Sequence, residues 1–294
     1  MHRISKYYRT GLQAAVGPVR LQREEFSVRS TVRSWRITGG AAAVLFTAGA
    51  VARRSGLAPL GTALCDAGTV LGLFSVWQLT GHLSSAGKEP ALDRAARIHR
   101  AELRLGFPNE ASWQRVVLPR PWLVKAANRY YAVMHGLGTA GTLIWVFVRH
   151  QHHFRRVWTA LVLVTAGCLI IQFVPVAPPR MLPQNGFVDV AVQYGQSMFD
   201  GTMAGLAPNE LAAMPSVHVA WCLLVALVAA RLTSSHWRWL GTAHAAVTIA
   251  VVVVTANHFW ADGVAALLLL LLLYSFEQCA VRLRRWNAGP CSDM

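Results

Sequence analysis

Acidic residues are scarce in this chain: 13 Asp and Glu stand against 28 Lys and Arg, and charged residues of both signs make up only 14% of the 294 positions. A soluble globular domain carries nearer about a quarter charged residues, so this shortage, together with 54% hydrophobic residues, excludes one and points to the bilayer. Cys65, Cys168, Cys222, Cys279 and Cys291 show no CxxC and no metal-ligand spacing, and most fall inside apolar runs. They read as small buried hydrophobes without a disulfide framework. The first apolar run follows a long basic arm and has no obvious A-x-A site, so no cleavable signal peptide is expected. The net charge of +15 would suggest nucleic acid in a soluble protein. Here the basic residues flank apolar runs, where anionic lipid headgroups are the cheaper explanation, and no nucleic-acid partner is expected.

What the chain does have is long apolar runs, about seven of them, near residues 37–52, 58–81, 122–148, 157–176, 213–232, 239–256 and 260–281. They predict an all-α polytopic membrane bundle of six or seven transmembrane helices, the first run being the weakest because it is short and rich in Gly and Ala. Gly68-x-x-x-Gly72 permits close helix contact but recurs by chance in Gly-rich spans. Between Gly81 and Pro121 the charge returns. The segment LDRAARIHRAELRLGF places Leu92, Ala95, Ala96, Ile98, His99, Leu103 and Phe107 toward one side of a helix, which predicts an amphipathic segment lying in the interface. Glu102 and Glu110 are candidate catalytic carboxylates, weighed against the more expected reading that they pair with neighbouring arginines. The run RHQHHFRR, Arg149–Arg156, is expected as a charged turn at the headgroups rather than a metal site, since its arginines repel a cation and no carboxylate or cysteine accompanies the histidines.

The stretch around which the chain is organised runs from Ala212 to Gly263: AAMPSVHVAW, then two apolar segments joined by a polar turn, then TANHFWADG. At about 1.5 Å per helical residue each segment matches the hydrocarbon thickness, so one helix goes out and the next returns. His218 and His258 therefore come to the same face of the membrane. Pro215 and Ser216 read as a helix start, whose free amides and positive dipole end suit an anion. His258 and Asp262 are four apart, on one face if the last helix begins there, and such a carboxylate can hold an imidazole's tautomer. The fourth run ends in FVPVAPPRMLP, where prolines break the helix and leave Arg180 just beyond it, on the same face. The loop 181–212, with Asp189, Gln193, Asp200 and Asn209, reads as a lid or headgroup-binding loop. In the third run, Asn128, Tyr131 and His135 share a face; an intramembrane histidine is either functional or a structural bond between helices. Tyr131, His135 and Asn257 are accessory candidates. An arginine fork and helix-start amides suit phosphate oxygens, and two histidines suffice for phosphoryl transfer, one as nucleophile and one as acid, without a metal.

These residues resemble a known family. PSVH at 215–218, HxxxD at 258–262 and the arginine of PPR at 178–180 are similar to the motifs of the type 2 phosphatidic acid phosphatase superfamily. The phrases APPR…GFVD, AMPSVH and TANHFWAD look most like its inositolphosphotransferase-like branch, common in actinobacteria, over roughly residues 60–280. The resemblance implies that His258 is the nucleophile, Asp262 orients it, His218 is the general acid, and Arg180 and Ser216 hold the phosphate, with no cofactor and no metal. It implies a lipid phosphate or diphosphate as substrate, hydrolysed or transferred through a phosphohistidine. The domain reading is then a basic arm at 1–36, an extra apolar segment at 37–57, a phosphatase-like transmembrane catalytic domain at 58–281 and a basic tail at 282–294. The chain departs from the pattern at four positions: Phe173 where the family has lysine, Met181 where it has proline, Val217 where it commonly has glycine, and Val252 where it usually has arginine.

Two rival classes are weighed beside the enzyme. A transporter with a histidine proton relay predicts inverted repeats and broken helices, and neither is visible. A two-His-one-carboxylate metal enzyme built from His218, His258 and Asp262 conflicts with Arg180 beside the site. Basic residues at Arg53/Arg54, Arg149–Arg156, Arg231–Arg238 and in the tail predict a cell-membrane protein whose active face is extracytoplasmic, although seven spans would also place the basic arm outside. The expected partners are the bilayer and a membrane lipid phosphate. Which lipid it is, whether water or an alcohol accepts the phosphoryl group, and the oligomeric state are not legible.

Overall fold

Long apolar runs with few breakers become helices, and the computed structural model, which describes residues 34–84, 87–196 and 209–287, is helical throughout its regular structure. The chain divides into two compact units, Met1–Leu83 with Phe199–Asn209, and Ser84–Met198 with Glu210–Met294. The N-terminal arm up to residue 33, the tail from 288 and the middle of the expected lid loop, 197–208, lie outside the described residues.

The first unit contains α1 (Ser34–Arg54) and most of α2 (Ala58–Ser84), both long and apolar enough to cross a membrane. The weakest predicted run is thus a 21-residue helix that begins inside the segment read as the basic arm. Its closest approach to α2 is not at the Gly68-x-x-x-Gly72 pair. A Cβ on Gly49 would lie 2.8 Å from the Gly61 carbonyl, and one on Gly61 would lie 2.6 Å from the Gly49 carbonyl. These facing glycines let the two backbones touch.

The second unit begins with α3 (Lys88–Arg104) and α4 (Glu110–Val117), then α5 (Pro121–Arg149) and α6 (Gln151–Ile171). Both α5 and α6 are long and apolar enough to span. Of the charged turn expected at Arg149–Arg156, Arg149 ends α5 and Gln151–Arg156 form the first turns of α6; only His150 separates the two helices, so the reversal is far tighter than the charge pattern suggests. After α6 come two short 3-10 turns, Pro179–Met181 and Pro183–Asn185, and the one-turn α7 (Val190–Gln193). Then follow α8 (Val217–Leu232), α9 (Arg238–Val254) and α10 (Trp260–Asn287). The 16 residues of α8 rise about 24 Å, shorter than the spans of α5 and α6.

Two apolar clusters organise this unit. One lies between the long helices and includes Val146, Val164, Cys168, Ala220, Leu224, Val252 and Ala266. The other lies under the connecting segments and joins Ala91 and Ala95 of α3 to Val176, Leu182, Phe187, Leu211 and Phe259. In α3 the buried residues are Ala91, Ala95, His99 and Glu102, whereas Leu103 and Leu105 are exposed. The expected face of α3 is thus largely its packed side, with Ala95 and His99 buried and Leu92 and Ile98 against the second cluster, and only Leu103 of that face is exposed. At Ala91 the helix approaches the loop at Ala177, whose amide bonds the Ala91 carbonyl at 3.2 Å. Trp221 of α8 donates to Thr165 of α6 at 2.9 Å, and Tyr130 of α5 meets His244 of α9 at 2.7 Å, two polar ties between otherwise apolar helices.

The α8–α9 contact depends on Gly241, where a Cβ would fall 2.8 Å from the Ala229 Cβ and 3.1 Å from the Ala226 Cα. Gly241→Leu is expected to destabilise the unit by about 1–3 kcal/mol, read as a lower thermal midpoint of the detergent-solubilised protein. An unchanged midpoint would mean the two helices separate at no cost.

Candidate active site

The site is built where the two clusters meet, from the ends of four helices. Ser216 caps α8, its Oγ accepting from the Val219 amide at 3.2 Å, as the Pro-Ser pattern predicts. The Ser216 amide donates to the Asp262 carbonyl at 3.2 Å, and the first bond of α8 proper runs from the Ala220 amide to the Ser216 carbonyl at 2.9 Å. The amides of Val217 and His218 precede that bond and are those a helix start presents to an anion.

α9 ends in a Schellman turn: the Ala256 amide bonds the Val253 carbonyl at 2.9 Å and the Asn257 amide bonds the Val252 carbonyl at 3.0 Å. The turn requires a left-handed residue, and here it is an alanine, Ala256, at φ 52° and fully buried. A non-glycine residue in that region costs on the order of 1 kcal/mol, and the strain sits two residues before His258. The Ala256 carbonyl accepts from the Arg180 amide at 2.9 Å.

His258 lies just before α10 rather than on it, and is buried. Its Nδ1 faces the Ala213 carbonyl at 2.8 Å and Asp262 Oδ2 at 3.2 Å. Two acceptors on Nδ1 place the proton there and leave Nε2 with its lone pair. Nε2 is buried without a hydrogen-bond partner. Asp262, wholly buried, also accepts from the Phe259 amide at 2.9 Å, the carboxylate half of a capping box. The His258–Asp262 pair thus forms although the helix starts two residues later than the spacing argument assumed.

The rings of His218 and His258 are 5.7 Å apart between centroids. Tyr131 stacks on His218 at 4.3 Å and stands 6.4 Å from His258, while His135 packs on His218 at 4.1 Å and bonds the Tyr131 carbonyl through Nδ1 at 3.2 Å. The third residue on that face of α5, Asn128, points elsewhere, toward the Val190 carbonyl and Gln196. Arg180 is buried in the 3-10 turn after α6, its Nη1 donating to Asn257 Oδ1 and its Nε 3.4 Å from Asp189 Oδ2. Asn257 in turn donates to Thr255 Oγ1 at 2.8 Å. Of the sequence candidates, His258, Asp262, His218, Tyr131 and His135 form one connected cluster, and Arg180 and Asn257 pair at its edge. Val252, where an arginine was looked for, is buried in the apolar cluster between helices, and Phe173 is half exposed.

Other residues of this region take parts that differ from their sequence readings or, for Gln172, had none. Asp189 caps α7 through Oδ1 and reaches Arg180 through Oδ2. Buried Gln172 donates to the Pro215 carbonyl at 3.1 Å and so ties the end of α6 to the PSVH turn. Among the described residues Glu102 and Glu110 do not pair with arginines: Glu102 Oε1 accepts from the Ala261 amide at 2.6 Å, and Glu110 Oε1 accepts from the Trp260 amide at 3.3 Å. The nearest signal was NE in LGFPNE, a helix cap followed by an acid, but nothing in that phrase names its distant partner. His99, Glu102 and Glu110 also bring donor atoms within 4.8 Å of one another.

Among the described residues the chain is all-helical, with four helices long and apolar enough to cross a membrane, and at the helix ends of its second unit it carries buried His258, Asp262 and Arg180 together with half-buried His218. The profile of the PAP2 superfamily matches residues 96–276, which cover this set and more than half of the chain, and the chain belongs to that superfamily. Members of the superfamily are phosphatases. No curated protein and no solved structure matches the chain.

Proposed function

We propose that the protein is an integral membrane phosphatase or phosphotransferase that acts on a lipid phosphate or diphosphate through a phosphohistidine at His258. The observation that carries this reading is the state of the His258 ring: Nδ1 is held by Ala213 and Asp262, and Nε2 is buried and unpartnered. Nε2 attacks phosphorus and the bond to the leaving oxygen breaks. His218 gives that oxygen a proton, and then, as a base, takes one from the water or alcohol that releases the phosphoryl group from His258. Asp262 balances the positive charge on the phosphorylated ring. Arg180 and the first-turn amides of α8 beside Ser216 bind the phosphate oxygens. His135 and Tyr131 hold the His218 ring, and Asn257 aims Arg180. No step requires a metal or cofactor.

The substrate reading rests on where the site lies. Arg149, Arg155 and Arg156 stand at one end of α5 and α6, Arg231 and Arg238 at one end of α8 and α9, whereas His218 and His258 stand at the opposite ends of α8 and α9. Under the positive-inside rule the arginine ends face the cytoplasm, and the site opens outside, in a cell membrane, at headgroup depth. The catalytic domain is the phosphatase-like core of 58–281. Transfer of a phospho-headgroup to an alcohol such as inositol uses the same chemistry with a different acceptor.

The test is phosphate release by detergent-purified protein from phosphatidic acid, lysophosphatidic acid, a polyprenyl diphosphate and phosphatidylinositol, with chelator present, and with inositol added in a parallel series. Chelator-resistant release or transfer from one class identifies the substrate. Absence of both from every lipid sinks the reading. Arg180→Lys removes the fork and keeps the charge; it is expected to lower kcat/KM by about 100-fold in the same assay, and near-normal activity would remove Arg180 from phosphate binding.

A further inference from the structure

α10 has no capping side chain at the residue before its first turn. The residue before its first turn is Phe259, and the amides that a Ser or Asp would satisfy are taken by carboxylates. The Phe259 amide goes to Asp262, the Trp260 amide to Glu110 and the Ala261 amide to Glu102. Three consecutive amides, beginning one residue after His258, thus rest on three carboxyl groups. Two of these come from elsewhere in the chain, and the local sequence explains their convergence. α3 ends in a Schellman turn with Gly106 at φ 79°, the Phe107 amide bonding the Glu102 carbonyl at 2.9 Å; Asn109 then caps α4 through the Ala111 amide, so Glu110 opens α4 beside Glu102.

Glu102 and Glu110 are buried, and among the described residues neither pairs with a lysine or arginine. Each uses Oε1 on α10 and leaves Oε2 buried without a hydrogen bond, with His99 Nδ1 3.6 Å from Glu110 Oε2. Two ionised carboxylates cannot rest together in such surroundings. A divalent cation would answer the charge, but among the described residues it would find three donor side chains, with the rings of Phe187 and Phe259 at 5.3 Å and 6.1 Å from His99. One proton answers it with what is present, because the Glu102 and Glu110 carboxyls bring oxygens within 4.8 Å of each other and a protonated one can donate to its neighbour.

Resting on the phosphohistidine reading above, we propose that Glu102 and Glu110 are positioning residues of the His258 site, a carboxyl–carboxylate pair that shares one proton between its Oε2 atoms while its Oε1 atoms hold the start of α10. The groups facing Glu102 are His99 on its own helix, Glu110 on α4 and Asp262 on α10. Burial and the Glu110 carboxyl push Glu102 up to about 9. The sign follows: a raised carboxyl keeps its proton through neutral pH and loses it as pH rises through about 9, where the pair becomes doubly charged and releases α10.

The test uses the full chain in detergent, with two independent readouts. Infrared difference spectra between pH 7 and pH 10.5 are expected to show a protonated-carboxyl band in the wild type that is lost at high pH and absent in Glu102→Gln; no such band overturns the proposal. In phosphate release, Glu102→Gln, which keeps an acceptor for Ala261 and a donor for Glu110, is expected to retain kcat within about 3-fold and to lose the alkaline fall in activity. Glu102→Ala is expected to lose at least about 30-fold in kcat with little change in KM. Glu102→Gln as damaging as Glu102→Ala, or a stoichiometric metal in the wild type that Glu102→Gln lacks, overturns the pair. If the wild type acts on no lipid, the phosphatase reading fails while the infrared band still decides the shared proton.

Discussion

Replacing His258 by alanine is expected to abolish phosphate release, by at least about 10⁴-fold in kcat. The size follows from the ring's environment. Nδ1 is engaged by Ala213 and Asp262, so only Nε2 can react, and no other unpartnered side-chain nitrogen in the set stands beside a carboxylate. His218 packs between Tyr131 and His135 and, among the described residues, has no such carboxylate hydrogen-bonded to it, which suits a proton donor better than a nucleophile. A second readout separates covalent from general-base chemistry. Brief incubation with phosphate-labelled substrate followed by acid-free denaturation is expected to trap label on the wild type that is stable to alkali and labile to acid, and none on His258→Ala. Residual release above about one part in a hundred, or label that persists in the variant, would mean that water attacks phosphorus directly and His258 only assists it.

Asp262→Asn is the second largest effect, a fall in kcat of roughly 10²–10³-fold with KM little changed. One oxygen, Asp262 Oδ2, accepts from both the His258 ring and the Phe259 amide. An asparagine keeps the shape and one acceptor oxygen, so the fold of the turn survives, but it removes the negative charge that balances the ring once phosphorus is bound. The loss therefore belongs to the reaction and not to ground-state binding. A parallel thermal melt distinguishes the two: Asp262→Asn is expected to melt close to the wild type, and a large drop in midpoint would assign the residue to stability. Asp262→Ala removes the acceptor as well and is expected to lose both activity and stability, because the buried Phe259 amide is left without a partner.

The all-helical class was legible because apolar runs of bilayer length admit little else. The pairing of His218 with His258 was legible too, from two helical segments of similar length between them. What could not be read was the detailed path of the chain at the helix ends. Arg149–Arg156 reads as a loop by charge yet is mostly helix, since arginines at a membrane edge keep their heads in water while the backbone continues its ladder. The packed face of α3 was legible through Leu92, Ala95, Ile98 and His99, but not that Leu103 at its far end is exposed while Glu102 beside it is buried.

Sequence by itself determined the membrane-length helices, the Ser216 cap, the separation of basic helix ends from histidine ends, and the identities of His218, His258 and Asp262 as the residues to watch. Each of these depends on spacing within about one helix, which local periodicity records. Only the tertiary structure decided that His258 precedes its helix, that Asp189 and Asn257 aim Arg180, and that Glu102 and Glu110 hold the amides beside the histidine. Those contacts join residues up to 159 positions apart. A carboxylate buried against a distant backbone amide leaves no periodic trace in the chain that carries it, because its partner is a peptide group that every residue possesses.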